Sequence, residues 1–259
     1  MIDSLLDQMQ PGASDDEDEE QLEVKFAISG SEAGALRPVD CRTLVLCGPG
    51  VASAFALGGL ALQPLPWQMQ PVGDSKAAFP PAPKTPKFFV VPGTTDADAV
   101  VVALLDSQVP SDYALSFSDA LLEAFTGVSQ VILLDRILRA EWGCGAGGRP
   151  EEPHVAGLWT SSWGSTGPAK LAMPRLPAPN YLEGLGAALL TRCEASRQRC
   201  LVALALQDGA HLSEGCIRSF EALVPLLLDL KVVPPSWKTP NYMEAARKVV
   251  APSSMSIYA

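Results

Sequence analysis

A chain of 259 residues, 47% hydrophobic and 19% charged, has material for one sizeable core, while its 23 prolines and 21 glycines leave much of the rest to loops. The formal net charge of −10 misleads, because nine acids and no base fall in residues 1–24, leaving 20 acids and 19 bases from residue 25 onward. A nearly neutral body lacks the basic face that nucleic-acid binding requires. No apolar run approaches the roughly 18–20 residues of a membrane span, and MIDSLLDQMQ lacks the basic segment and apolar core of a secretory signal. Six cysteines, at 41, 47, 144, 193, 200 and 216, form no C-x-x-C pair. These features together predict a cytosolic or nuclear protein whose reduced thiols serve as small core residues.

Residues 1–20 end in Asp15-Asp16-Glu17-Asp18-Glu19-Glu20, a run of like charges that repel, so this stretch is expected to be a disordered acidic tail. One domain is expected over residues 21–251. It opens near Leu22-Glu23-Val24-Lys25-Phe26-Ala27-Ile28, which alternates as a half-exposed strand does. Cys41 to Cys47 reads as a strand, Gly48-Pro49-Gly50 as a tight turn, and Val51, Phe55, Gly58 and Leu62 as one face of a helix. That glycine pair is a poor dinucleotide motif. Ser53 stands where a third glycine belongs, and Pro49 removes an amide that would face a phosphate. With no Lys-Ser/Thr pair it is not a P-loop either.

Residues 64–86 hold seven prolines and read as an irregular connection. Lys87 to Val91 and Ala99 to Leu105 follow as strands. Ser116 is the expected N-cap, with Asp119 in the first turn, of a helix burying Phe117, Leu121, Leu122 and Phe125 and stopping at Gly127. Gln130 to Asp135 is apolar on both faces, as an internal parallel strand demands. Residues 142–179 form a second long irregular segment, of a length usually reserved for binding loops or disorder. Asn180 and Glu183 have capping-box spacing before a helix that buries Leu182, Leu185, Leu189 and Cys193 and reaches about Arg197. Cys200 to Leu206 is another apolar strand. Ser213 is expected to start a helix carrying Ile217, Phe220, Val224 and Leu227, and Thr239-Pro240 a last short one ending in Arg247 and Lys248. Pro252 stops it, leaving residues 252–259 as a flexible tail that ends in Ile257-Tyr258-Ala259.

Enzymatic chemistry is thinly provided. The two histidines, His154 and His211, are isolated, no G-x-S-x-G elbow is present, and the unpaired cysteines make poor metal ligands. No catalytic, cofactor or metal residues are therefore expected. Asp135 stands where α/β sheets place catalytic groups, but a lone acid there is more often a loop cap. An enzyme should show a pocket with convergent polar groups at the strand ends; a protein that acts by docking should not.

Four stretches together resemble the proteasome assembly chaperones. They are the acidic N-terminus, the strand-turn-helix of Cys41 to Gly48 with Val51 to Phe55, the helix and strand from Ala187-Ala188-Leu189-Leu190 through Leu201-Val202-Ala203-Leu204, and the terminal Ile257-Tyr258-Ala259. That ending matches the hydrophobic-Tyr-any motif with which proteasome regulators enter pockets between α-subunits of the 20S core particle. The resemblance implies an α/β single domain, with a mostly parallel or mixed sheet flanked by helices, related in architecture to nucleoside phosphorylases but without their activity. It also implies a heterodimer with proteasome assembly chaperone 2 on the α-ring, where Ile257, Tyr258 and Ala259 bind α-subunits. Two readings of other kinds stand beside it: a small-molecule-binding enzyme on a phosphorylase-like scaffold, and a general interaction protein whose tail carries no function.

Overall fold

The computed structural model describes residues 25–30, 41–72, 83–94, 98–125, 127–143, 150, 154–164, 168, 171, 173–209 and 211–249. The acidic stretch 1–20, both expected domain boundaries, and the tail 252–259 with Ile257, Tyr258 and Ala259 lie outside these residues.

Seven strands form one mixed sheet in the order β3-β5-β6-β2-β7-β9-β8. At its centre β6 (Val100–Leu104), β2 (Thr43–Cys47), β7 (Gln130–Leu138) and β9 (Arg199–Gln207) run parallel. β5 (Lys87–Val90) lies antiparallel to β6, β3 (Gln63–Pro64) antiparallel to β5, and β8 (Val155–Trp159) antiparallel to β9. β2 and β6 are buried at every position, which explains their unbroken apolar sequence: a parallel strand covered on both faces has no polar side to show.

Strand residues of opposite parity feed two cores. Val45, Cys47, Val102, Ile132, Leu134, Leu201 and Ala203 pack beneath α1 (Val51–Gly59), α4 (Glu214–Arg218), α5 (Val224–Asp229) and α6 (Tyr242–Val249). Leu44, Leu46, Val101, Ala103, Val131, Leu133 and Val202 pack beneath α2 (Ser111–Ala124) and α3 (Gly184–Ala195). A two-stranded ribbon of β1 (Lys25–Gly30) and β4 (Trp67–Val72) extends the second core, with Phe26 edge-on to Tyr113 and Phe117. The result is one three-layer α/β domain, as the sequence predicts.

Several local expectations are corrected. The helix after Leu105 begins at Ser111, where Pro110 sets an extended N-cap, and not at Ser116. Tyr113 and Ala114 continue its buried face, and the Ser116 hydroxyl donates to the Tyr113 carbonyl from within the helix. The proline-rich segment contains β4, where Pro71 is tolerated in a two-stranded ribbon because each strand has a free edge. The segment 142–179 contains β8. Its Gly157 is needed because a Cβ there would lie 2.7 Å from the Val202 carbonyl, so the residue that reads as a loop marker is a close-packing one. Asn180 does not cap α3; Glu183 occupies that position without a side-chain bond. The Asn180 amide instead accepts from Gly143 N at 2.7 Å and donates to the Gly143 and Pro177 carbonyls.

Ser213 does cap its helix, accepting from Cys216 N, but the helix divides into α4, a 3-10 turn (Ser219–Leu223) and α5. Pro225 at the start of α5 has no amide to continue the ladder. α6 starts at Tyr242, two residues after Pro240, with Asn241 Oδ1 accepting from Glu244 N. Cys41, Cys47, Cys193, Cys200 and Cys216 are buried as thiols and form no disulfide, as expected.

Candidate functional site

Where the chain leaves β2 it turns into α1 on one face of the sheet. The connection that follows β7, the next strand partner of β2, forms β8 at the sheet edge and then α3 on the other face. Two neighbouring parallel strands whose connections depart to opposite faces leave a crevice at their carboxyl ends, the usual place for a ligand in a sheet of this kind. A cleft of about 680 Å³ lies there. Its floor includes Leu105, just past β6, and the paired residues Asp135 and Leu204 in the carboxyl-terminal halves of β7 and β9, and its walls come from Gln108 to Ser111 and from Pro179 to Gly186. The starts of α2 and α3 meet across it: a Cβ on Gly184, whose φ is +57°, would lie 3.7 Å from the Val109 carbonyl and 3.9 Å from Ser111 Oγ. Tyr181, 74% exposed, stands at the mouth.

Asp135 is the polar residue of that floor. Odd-numbered positions of β7 supply the core beneath α2 and α3, so the side chain points to the cleft face. It leans across the strand onto Gly48, where a Cβ would fall 2.3 Å from Asp135 Oδ1 and 2.8 Å from Cγ. Glycine at 48 is thus required by a carboxyl in the space a side chain would take. Asp135 Oδ1 accepts from Arg136 N at 2.9 Å, and among the described residues no other group donates to the carboxyl. The residue keeps a little solvent contact toward the cleft, yet burial pushes its pKa up to about 6, with the Arg136 amide and guanidinium opposing weakly. Burial and the charge of Asp135 both push the neighbouring Cys47 thiol up. Arg136, the next residue, faces the other side, and its Nη1 donates to Gln207 Oε1 at 3.0 Å. Asp135 is therefore neither a loop cap nor half of an ion pair.

A cleft is thus present at the strand ends, the place where the sequence reading expects an enzyme, and not a protein that acts by docking, to carry a pocket with convergent polar groups. Among the described residues its lining contains no histidine or cysteine. His154 stacks edge-on against Trp142, outside the lining. Among the described residues no group of His, Cys, Asp and Glu is arranged to hold a metal ion, and no helix is long and apolar enough to cross a membrane. Residue type alone could not reveal the Gly48–Asp135 contact; the signal in the sequence was an acid after an apolar run, although the strand continues past it to Leu138.

No protein-family profile matches the chain. Among solved structures the fold is that of proteasome-assembly-chaperone homologues. PbaA of Pyrococcus furiosus, an archaeal homologue of proteasome-assembly chaperone, superposes with a TM-score of 0.58 at 14% identity, covering 86% of this chain and 92% of PbaA. PbaB of the same organism, an archaeal proteasome activator, gives 0.54 at 11% identity over 87% and 94% of the two chains. In sequence, the chain is 25% identical over 126 residues to proteasome assembly chaperone 1 of Dictyostelium discoideum. The match takes in 49% of this chain and 44% of the relative, less than half of each.

Proposed function

We propose that this chain is a chaperone of 20S proteasome assembly that acts by docking and not by catalysis. The observation that carries the reading is the 25% identity over 126 residues to proteasome assembly chaperone 1 of Dictyostelium discoideum. The architecture shared with PbaA is consistent with it. In this reading the folded body pairs with proteasome assembly chaperone 2 and rests on the α-ring, while Ile257, Tyr258 and the carboxylate of Ala259 enter a pocket between α-subunits. Burial of Ile257 and the Tyr258 ring contributes about 2–3 kcal/mol each at most, and a captured carboxylate about 1.5–3 kcal/mol more. Ordering the tail offsets much of that sum. The tail by itself is thus a roughly millimolar to high-micromolar ligand, engaged only once the body has docked and raised its local concentration.

The test is affinity purification of the tagged full chain from cells, with the co-purifying proteins identified, alongside a variant lacking the last three residues. Proteasome α-subunits and chaperone 2 should accompany the full chain. The shortened chain should keep chaperone 2 but bind core-particle precursors about ten- to a hundredfold more weakly, equivalent to about 1.4–2.8 kcal/mol. A full chain that captures neither class of protein refutes the reading. Unchanged affinity in the shortened chain refutes the role of the tail.

A further inference from the structure

The strand-end cleft has no part in a mechanism that works through the tail, yet it is built. A carboxyl has been placed at the floor of a cavity whose other floor groups, Leu105 and Leu204, are apolar, and position 48 has been kept free of a side chain to admit it. A buried carboxyl ordinarily meets a cation or several donors. Here the Arg136 amide is its single hydrogen-bond donor among the described residues. The cleft is also acidic as a whole. Glu141 and Glu183 line it beside Asp135, and none of the three is in an ion pair among the described residues. The one base among the described residues of the lining, Arg136, turns its side chain to the other face of the sheet and gives Nη1 to Gln207.

We infer that the cleft is a binding site for the cationic head of an aliphatic ligand, a primary amine or guanidinium on a short hydrocarbon arm, which sets its charge against Asp135 and its arm against Leu105 and Leu204. The arm is needed because an ammonium with no apolar body would gain little from the walls. The charge is needed because a neutral ligand would leave the carboxylate desolvated without a counter-ion, the costlier state in an apolar pocket. A cavity of about 680 Å³ is in the range of small-molecule sites and admits a lysine- or arginine-sized group with room to spare. Two sources carry this chemistry, a free aliphatic amine and a basic side chain presented by a bound peptide, and they are separable by experiment. The site is independent of the tail and of the proteasome reading.

The experiment titrates the full chain, labelled with nitrogen-15, with cadaverine and with Nα-acetyl-lysine methylamide, and uses pentanol as an uncharged control of similar length. Amide shifts of Gly48, Gly184 and Gly186 report the cleft. At least one amine should move these resonances with a dissociation constant of about 10 mM or tighter, while pentanol at the same concentration leaves them in place. Cadaverine binding marks a free amine as sufficient; binding of the lysine derivative alone marks a peptide side chain as the source. Asp135→Asn should weaken the interaction by about tenfold or more. If that variant does not fold, Ser111→Trp, an exposed position on the lip, replaces it and should obstruct entry to the same extent. Absence of shifts with both amines, pentanol shifts equal to theirs, or full amine binding by the variant overturns the inference.

Discussion

Asp135→Asn should stabilise the protein at neutral pH, and the reason lies in the difference between the folded and unfolded carboxyl. Its pKa stands at about 6 in the fold against 3.8 ordinarily, with burial the largest cause. The folded state therefore prefers the protonated form, and above pH 6 it carries the full cost of holding the charge. About two units at roughly 1.4 kcal/mol each give a cost of about 3 kcal/mol. As pH falls from about 6 to 4, the folded protein takes up this proton before the unfolded chain does, and the cost disappears. Asn keeps the acceptor for Arg136 N and carries no charge; its new amide hydrogens face a cleft open to water. Some of the gain is lost to that altered hydrogen bonding, leaving about 2 kcal/mol of stabilisation near pH 7.5. For a domain of this size this corresponds to roughly 4–8 °C in Tm. The assay is urea unfolding of both proteins from pH 4 to 8, read as the difference between them. The difference is the useful quantity because other carboxylates titrate in the opposite sense: Lys231 and Arg42 hold exposed Asp98 below its usual range, and Ser161 does the same to Glu194. A variant less stable than the parent at pH 7.5, or a difference that does not shrink toward pH 4, would refute the burial of an uncompensated carboxylate.

Other variants probe the same packing. Gly48→Ala should destabilise by about 2–4 kcal/mol, because its Cβ would meet Asp135 Oδ1 and Cγ at 2.3 and 2.8 Å. The loss should largely vanish in an Asp135→Ala background, and an equal loss there would show that the carboxyl is not the obstacle. Tyr242→Ala, which removes a fully buried ring stacked 5.9 Å from Phe55, should cost about 3–5 kcal/mol by thermal or urea unfolding. Among the cysteines, burial pushes the Cys41 thiol up to about 12, so alkylation of the native chain at pH 8 followed by peptide mapping should leave Cys41 and Cys47 unmodified. Rapid labelling of either would contradict their place in the core.

What the sequence disclosed, and what it hid, follows from how far apart the determining residues lie. The four parallel strands were legible because burial on both faces demands an apolar run, and residues 44–47, 100–104, 131–134 and 200–206 supply one each. β4 and β8 were hidden because the evidence for them sits in another segment. β4 exists by pairing with β1 across residues remote in the chain, and β8 by lying against β9 with Gly157 under the Val202 carbonyl. The start of α2 was misplaced because Ser116 offers a good local cap, whereas Tyr113 finds its burial in the core beneath α2 and against Phe26 of β1. The cleft was half legible. An acid closing an apolar run could be read from one segment, but its approach to Gly48 joins residues 87 positions apart.

The two faces of the sheet divide the possible tasks. Tyr242, which anchors α6 and hence the origin of the tail, is stacked on Phe55 in the core beneath α1. Gly58 permits that contact, since a Cβ there would stand 3.1 Å from Ala245 and 3.2 Å from Tyr242. Asp135 and the cleft belong to the opposite face, with α2 and α3. The sheet between them is a close-packed layer that either keeps its arrangement or breaks, so a change confined to one face should reach the other only weakly. Asp135→Asn and Tyr242→Phe, combined, should therefore change stability by the sum of their separate effects to within about 0.5 kcal/mol. In binding, Asp135→Asn should reduce amine affinity and leave capture of proteasome precursors unchanged, and loss of the last three residues should do the reverse. If Asp135→Asn also weakened precursor capture, the cleft would be part of the docking surface, and the basic group it receives would belong to the assembling particle.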